Sequence, residues 1–239
     1  PQGGPGRGAR TGAAILAFDP RRQVAGVARR PRRVVGHGWP SVRHRGRLLG
    51  FHGLRWRAEY LKNTYATGRY RPYEDLVGEA AHNVGLPFER AEELGARYAE
   101  LDPWPEARDV LRTLHEAGVA LGVVTNCSER LGHIAADRLG IPLTVFVTAE
   151  RAGYYKPQPQ PYQLALDELP VPANRCLFVA GSAYDLFGTA RVHLPTWWHN
   201  RAAMNLPEGA PAPIMVRDNL ATLPAFVLGR DLSGPPLED

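Results

Sequence analysis

The chain has 239 residues, 44% hydrophobic and 22% charged, enough apolar mass for one or two globular domains. Its net charge of +5 is unevenly spread: residues 1–53 hold eleven arginines against the single acid Asp19, whereas residues 54–239 carry a net −5. The acidic body argues against a nucleic-acid-binding domain, and no run approaches the ~18 apolar residues of a membrane span. No charged-then-apolar secretory pattern opens the chain, and two cysteines, Cys127 and Cys176, cannot frame a disulfide scaffold or a Cys-rich zinc site, so the reducing cytoplasm is the expected compartment.

In chain order, residues 1–12 form an Arg/Gly/Pro-rich leader. Ala13 to Phe18 is a short apolar run ending at Asp19-Pro20, the pattern of a strand buried on both faces. Residues 26–49 read as an irregular basic linker with three open readings: an RNA-binding arm, a solvated segment, or a local reading-frame error in a GC-rich gene. The arm lacks the interleaved aromatics that stack bases, and two lysines against twenty-seven arginines fit a GC-rich gene.

From Leu54 the pattern turns helical, with Trp56, Tyr60, Leu61 and Thr64 on one face. A second helix opens at Tyr73 and runs to Val84, and a third spans Phe88 to Leu101. Beyond Pro103 strands and helices alternate: helix 106–117, strand 119–124, helix 129–139, strand 144–148, helix 162–169, strand 176–180, helix 184–192 and strands 196–199 and 214–216. This alternation predicts an α/β fold with a doubly wound parallel sheet. Its core is assigned to 13–25 and 102–239, and the helical block 50–101 to an inserted cap.

Sites in such sheets lie at the carboxyl ends of the strands. Asp19, Thr125, Lys156 and Asp185 are expected just past four strand ends, so that two carboxylates, a hydroxyl and an ammonium meet. That set permits nucleophilic catalysis by Asp19, with Lys156 neutralising charge and Asp185 fixing Lys156 or a water. Taken singly, Asp19 before Pro20 also suits a strand terminator, and Asp185 a helix N-terminal acid.

Val-Val-Thr125-Asn126, Tyr-Tyr-Lys156-Pro157 and Val-Ala-Gly-Ser182-Ala-Tyr-Asp185 resemble motifs II, III and IV of the haloacid dehalogenase superfamily, and Ala-Ile-Leu-Ala-Phe-Asp19 resembles motif I. The resemblance implies a Rossmann-like core with a mobile cap and a covalent aspartyl intermediate. Trp56-Arg57 with Glu59-Tyr60-Leu61, the Lys156-Pro157 loop with Tyr162, and Trp197-Trp198-His199-Asn200-Arg201 resemble the metal-free 2-haloacid dehalogenases within it. What this branch implies is an SN2 attack by Asp19, Arg57 receiving the halide, and Thr125 and Asn126 binding the substrate carboxylate. Water oriented by Asp185 and Lys156 then opens the ester, with Tyr162, Ser182 and Tyr184 around the substrate. The implied ligand is a small carboxylate, with no metal, no cofactor and no nucleic acid or membrane partner; a homodimer is implied by the family's habit.

A superfamily phosphatase using Mg²⁺ on a small phosphoester is the alternative. It expects an acid two residues after the nucleophile and another five before Asp185, where this chain has Arg21 and Ala180. A catalytically impaired copy is the third reading, because Pro20-Arg21-Arg22-Gln23-Val24 replaces the Gly-Thr pair expected after Asp19. Ser182 stands where an Asn is usual, and the Asp19–Arg57 spacing is longer than the family's. Eight histidines show no zinc spacing. His199 and Cys127 read as structural, and Gly188 as a point of close helix–sheet packing.

Overall fold

The computed structural model describes residues 13–17, 46–100, 102–201 and 203–229. The leader 1–12, Asp19, Arg21 and the linker up to residue 45 lie outside the described residues. Six parallel strands form one sheet in the order β3-β2-β1-β4-β5-β6: β1 (Ala13–Ala17), β2 (Ala120–Thr125), β3 (Val145–Thr148), β4 (Cys176–Ala180), β5 (Thr196–His199) and β6 (Met215–Arg217). β1 lies near the middle, its Ala13 level with Ala120 on one side and Cys176 on the other.

The continuous apolar runs of the central strands are explained by burial on both sheet faces. Along β4, Cys176, Phe178 and Ala180 pack with Val124, Tyr162, Ala165 and Trp198 on one face. Leu177 and Val179 pack with Leu121, Val123, Leu111, Leu114 and Trp197 on the other. Helices α4 (Ala107–Glu116) and α9 (Leu223–Gly229) cover this second face, while α7 (Gln160–Glu168) and α8 (Asp185–Arg191) cover the first. Gly118 ends the approach to β2 with φ of +79°, a conformation that Gly adopts without the Cβ clash other residues suffer.

Between β1 and β2 come α1 (Gly46–Thr67), α2 (Tyr73–Asn83) and α3 (Glu89–Ala96), followed by a 3₁₀ turn at Tyr98–Glu100. The helical pattern therefore begins at Gly46, four residues inside the segment read as an irregular linker, and the third helix stops short of Leu101. Tyr60, Tyr73, Leu76, Val77, Ala80, Ala91 and Tyr98 bury their apolar surface against Leu131 and Ala135 of α5 (Glu129–Asp137) and against Tyr155. Gly78 permits this packing within the block, since a Cβ there would stand 2.2 Å from the Phe88 ring.

A second seam joins the helical block to the sheet. Tyr155 donates its backbone N–H to the Gly68 carbonyl at 2.7 Å, and Tyr70 donates to the Gly153 carbonyl at 2.8 Å. The Tyr155 hydroxyl donates to the Arg71 carbonyl at 2.7 Å, and the Tyr70 and Tyr155 rings stack with centroids 5.6 Å apart. Gly68 serves this turn with φ of +64°.

Two helices were not legible in the sequence. The single turn α6 (Ala149–Ala152) follows β3 directly, started by the Thr148 hydroxyl accepting from the Arg151 N–H, and α9 closes the described chain. As a result Lys156 does not sit just past a strand end: α6 and the Gly153–Tyr155 seam separate it from β3. No helix among the described residues is long and apolar enough to cross a membrane.

Candidate active site

The strand order reverses its direction of winding between β1 and β4, the point at which α/β sheets open a crevice at their carboxyl ends. A cleft of about 500 Å³ lies there, with Thr125, Asn126, Lys156, Ser182 and Asp185 among its walls and Tyr60, Leu61 and Tyr65 of α1 facing them. Thr125 is the last residue of β2, one beyond Val124, which is level with Ala17 at the end of β1.

The floor carries an ion pair. Lys156 Nζ stands 3.0 Å from Asp185 Oδ1, and the two side chains are only 9% and 5% exposed. Burying such a pair requires further hydrogen bonds to offset lost hydration. Tyr162 supplies one, donating its hydroxyl to the same Asp185 oxygen at 2.7 Å. Burial, with the carboxylate second, drives the Tyr162 phenol well above its usual range, so it holds its proton and acts as a donor. Tyr162 is wholly buried and stands behind Asp185. It is not among the cleft walls, and its hydroxyl supports the Asp185 carboxylate.

Lys156 is also held through its backbone. Its N–H donates to Asn126 Oδ1 at 2.7 Å, and Asn126 Nδ2 donates back to the Lys156 carbonyl at 3.2 Å. The side-chain amide of Asn126 is thereby committed to the lysine loop, while its own carbonyl accepts from the Tyr60 hydroxyl at 3.4 Å. The Thr125 hydroxyl donates to Cys127 Sγ at 3.3 Å. Cys127, read as a packed core thiol, is indeed buried and yet lines the cleft.

Gly188 explains how α8 approaches so closely. A Cβ there would stand 2.2 Å from the Tyr162 ring and 2.6 Å from the Pro157 carbonyl. The close packing expected of it is therefore against the lysine loop and α7, and not against the sheet.

Arg57 is half-buried on α1 and is not among the cleft walls; Leu61 and Tyr65 follow it along the same i+4 ridge and are. Tyr65 and Tyr73 were not singled out in the sequence, although the stripe through Tyr60, Leu61 and Thr64 leads directly to Tyr65. His199 is buried at the end of β5, edge-on to Trp104, and Arg201 places its guanidinium over Trp104 and pairs with Glu106. None of these residues is among the cleft walls. Among the described residues no group of three or more His, Cys, Asp or Glu is placed to hold a metal ion.

The family model for haloacid dehalogenase-like hydrolases matches residues 19–192, well over half of the chain. The chain belongs to the haloacid dehalogenase-like hydrolases. Within that family it is 27% identical over 175 residues to (S)-2-haloacid dehalogenase H-109 of Pseudomonas putida, a match spanning 68% of this chain and 78% of that protein. It is 33% identical over 170 residues to (S)-2-haloacid dehalogenase 4A of Burkholderia cepacia, spanning 66% and 73%. The fold superposes on the L-2-haloacid dehalogenase of Xanthobacter autotrophicus with chloropropionic acid covalently bound, at a TM-score of 0.71 and 18% identity, over 92% of this chain and all of that one. This haloacid dehalogenase-like hydrolase thus carries the expected α/β Rossmann-like architecture, with the family match starting at Asp19 itself.

Proposed function

We propose that the protein is a 2-haloacid dehalogenase, replacing the halogen of a short 2-haloalkanoate by hydroxyl through a covalent ester on Asp19. The observation that carries this reading is the buried Lys156–Asp185 pair at the floor of the small cleft, next to the carboxyl end of β1. Its relatives' names and the sequence motifs support the same reaction.

In the first step an Asp19 carboxylate oxygen bonds to the substrate C2 as the carbon–halogen bond breaks, and the halide leaves with the bonding pair. Arg57, one turn of α1 before Tyr60 and Leu61, is assigned to the departing halide, and Thr125 with Asn126 and neighbouring backbone N–H groups to the substrate carboxylate. Because Asn126's amide is already held by Lys156, its share falls to its backbone N–H, with Ser182 and Tyr184 completing the wall. In the second step a water between Lys156 and Asp185 loses a proton to Asp185 and attacks the ester carbonyl of Asp19. The acyl C–O bond then breaks, the departing alkoxide takes the proton back from Asp185 to leave as the 2-hydroxy acid, and the new Asp19 carboxyl loses its proton to solvent.

A Mg²⁺-dependent phosphoester mechanism has less support. Asp185 is the single carboxylate among the described cleft walls, its Oδ1 already takes the Lys156 ammonium and the Tyr162 hydroxyl, and Ala180 offers no second acid at the end of β4. Magnesium takes a near-octahedral oxygen set, usually with carboxylates. In this reading residues 50–101 act as the cap, the homodimer is carried over from the family resemblance, and two free buried cysteines suit a cytoplasmic setting.

The test is halide release from L-2-chloropropanoate in EDTA, with Asp19→Asn as control. Release that vanishes in the variant is expected. Absence of release from the unmodified protein, or equal release from both, overturns the reading.

A further inference from the structure

The wall that faces the catalytic floor is aromatic and belongs to a different part of the chain. Tyr65 comes from α1 and Tyr184 from the turn after β4, and their rings meet with centroids 4.9 Å apart and planes 38° apart. Both line the cleft. Tyr184 is 39% exposed, whereas Asp185 beside it in sequence is 4% exposed and Lys156 is 7% exposed, so the Tyr184 ring is the solvent-facing member of this group. The contact therefore runs across the cleft mouth from the helical block to the sheet. Tyr184 has a second ring neighbour, Phe187 at 6.1 Å, which backs it from its own side.

We propose that Tyr65 is a specificity-determining residue: with Tyr184 it forms an aromatic bar across the mouth that limits the substrate's C2 substituent to one or two carbons. This deepens the dehalogenase reading and rests on it. A 2-haloalkanoate that places its carboxylate by Thr125 and Asn126 and its C2 near the end of β1 must send its alkyl group towards the apolar α1 side. Leu61 and Tyr65 both line that side, and in this proposal the Tyr65 ring stops a longer chain.

The experiment compares 2-chloropropanoate with 2-chlorohexanoate in the unmodified protein, Tyr65→Ala and Tyr65→Phe, and measures binding of chlorine-free propanoate and hexanoate by intrinsic fluorescence. A hydrophobic pocket discriminates by roughly tenfold or more per methylene it cannot accept. Tyr65→Ala should raise the hexanoate-to-propanoate ratio, in kcat/KM and in binding, by about tenfold or more. Tyr65→Phe, which keeps the ring, should keep the original ratio. An unchanged ratio in Tyr65→Ala, or an equal rise in Tyr65→Phe, overturns the proposal while leaving dehalogenation standing. A shifted binding ratio without any halide release supports the bar and sinks the reaction. Failure of the unmodified protein both to release halide and to bind either acid sinks both.

Discussion

Tyr162 and Lys156 converge on one oxygen, Oδ1 of Asp185, at 2.7 Å and 3.0 Å. A buried carboxylate that receives an ammonium and a neutral phenol on the same atom is well compensated on that side, and the proposed hydrolysis assigns its second oxygen to the water. The three side chains form a unit in which no member is independent.

Removing one partner of a buried ion pair strands a charge and costs about 3–5 kcal/mol. Lys156→Met and Asp185→Leu should each lower the unfolding free energy by about that much, read by urea titration. The double variant should cost clearly less than the two together, because neither charge is then left alone. Additive costs would show that the two groups do not stabilise each other.

Gly188→Ala should destabilise the protein by about 1–3 kcal/mol, the usual range for overpacking. The obstacle is the Pro157 backbone carbonyl and a Tyr162 ring pinned by its bond to Asp185. Thermal unfolding checks the stability, and halide release should fall with it, since α8 can relieve the clash only by moving Asp185. A stability equal to that of the unmodified protein would mean that α8 sits further from the lysine loop.

Alkaline pH should unfold this protein early. Tyr155 and Tyr162 are held protonated by burial well above the usual tyrosine value of 10.0, and Cys176 is pushed up from 9.0 to about 11 by burial. Each favours the folded state fully below its unfolded value, and that contribution is lost as pH rises through the folded one. Above pH 10 each buried phenol should steepen the fall in stability by about 1.4 kcal/mol per pH unit. With only two lysines in the chain, few ammonium groups titrate in the same window. Tyr162→Phe should flatten the slope measured by urea unfolding between pH 9.5 and 11 by about one phenol's share; an unaltered slope would show that Tyr162 ionises freely.

Much of this was written in the sequence where one physical cause acts alone. Strands 176–180 and 196–199 have the expected bounds because a strand buried on both faces is a continuous apolar run with polar or turn residues at its ends. The coming together of Thr125 and Asp185 was legible because the winding of the sheet delivers strand ends to one edge, whereas Lys156 reaches them by way of α6 and the Gly153–Tyr155 seam. What failed depended on tertiary context. The α6 turn is four residues long and relies on the Thr148 cap, too short to leave a period. Tyr162 was assigned to the site through the resemblance of the Lys156-Pro157 loop, and its hydrogen bond to Asp185, 23 positions on, is visible only in the structure. Tyr65 went unnoticed because its importance lies in meeting Tyr184, which is 119 positions away in the chain.

The central position of β1 governs when the molecule can assemble. Its two neighbours begin at Ala120 and Cys176, so the strand made first must wait, unpaired, for partners translated more than a hundred residues later. Contacts of such long sequence separation slow folding, because loop closure must precede any gain from pairing. Until β2 has left the ribosome, β1 is an apolar ribbon with two open edges, one of which waits further for β4, and the helices made after it can gather before the sheet exists. Synthesis rate and chaperone supply should therefore govern the yield of active protein more strongly than its final stability does.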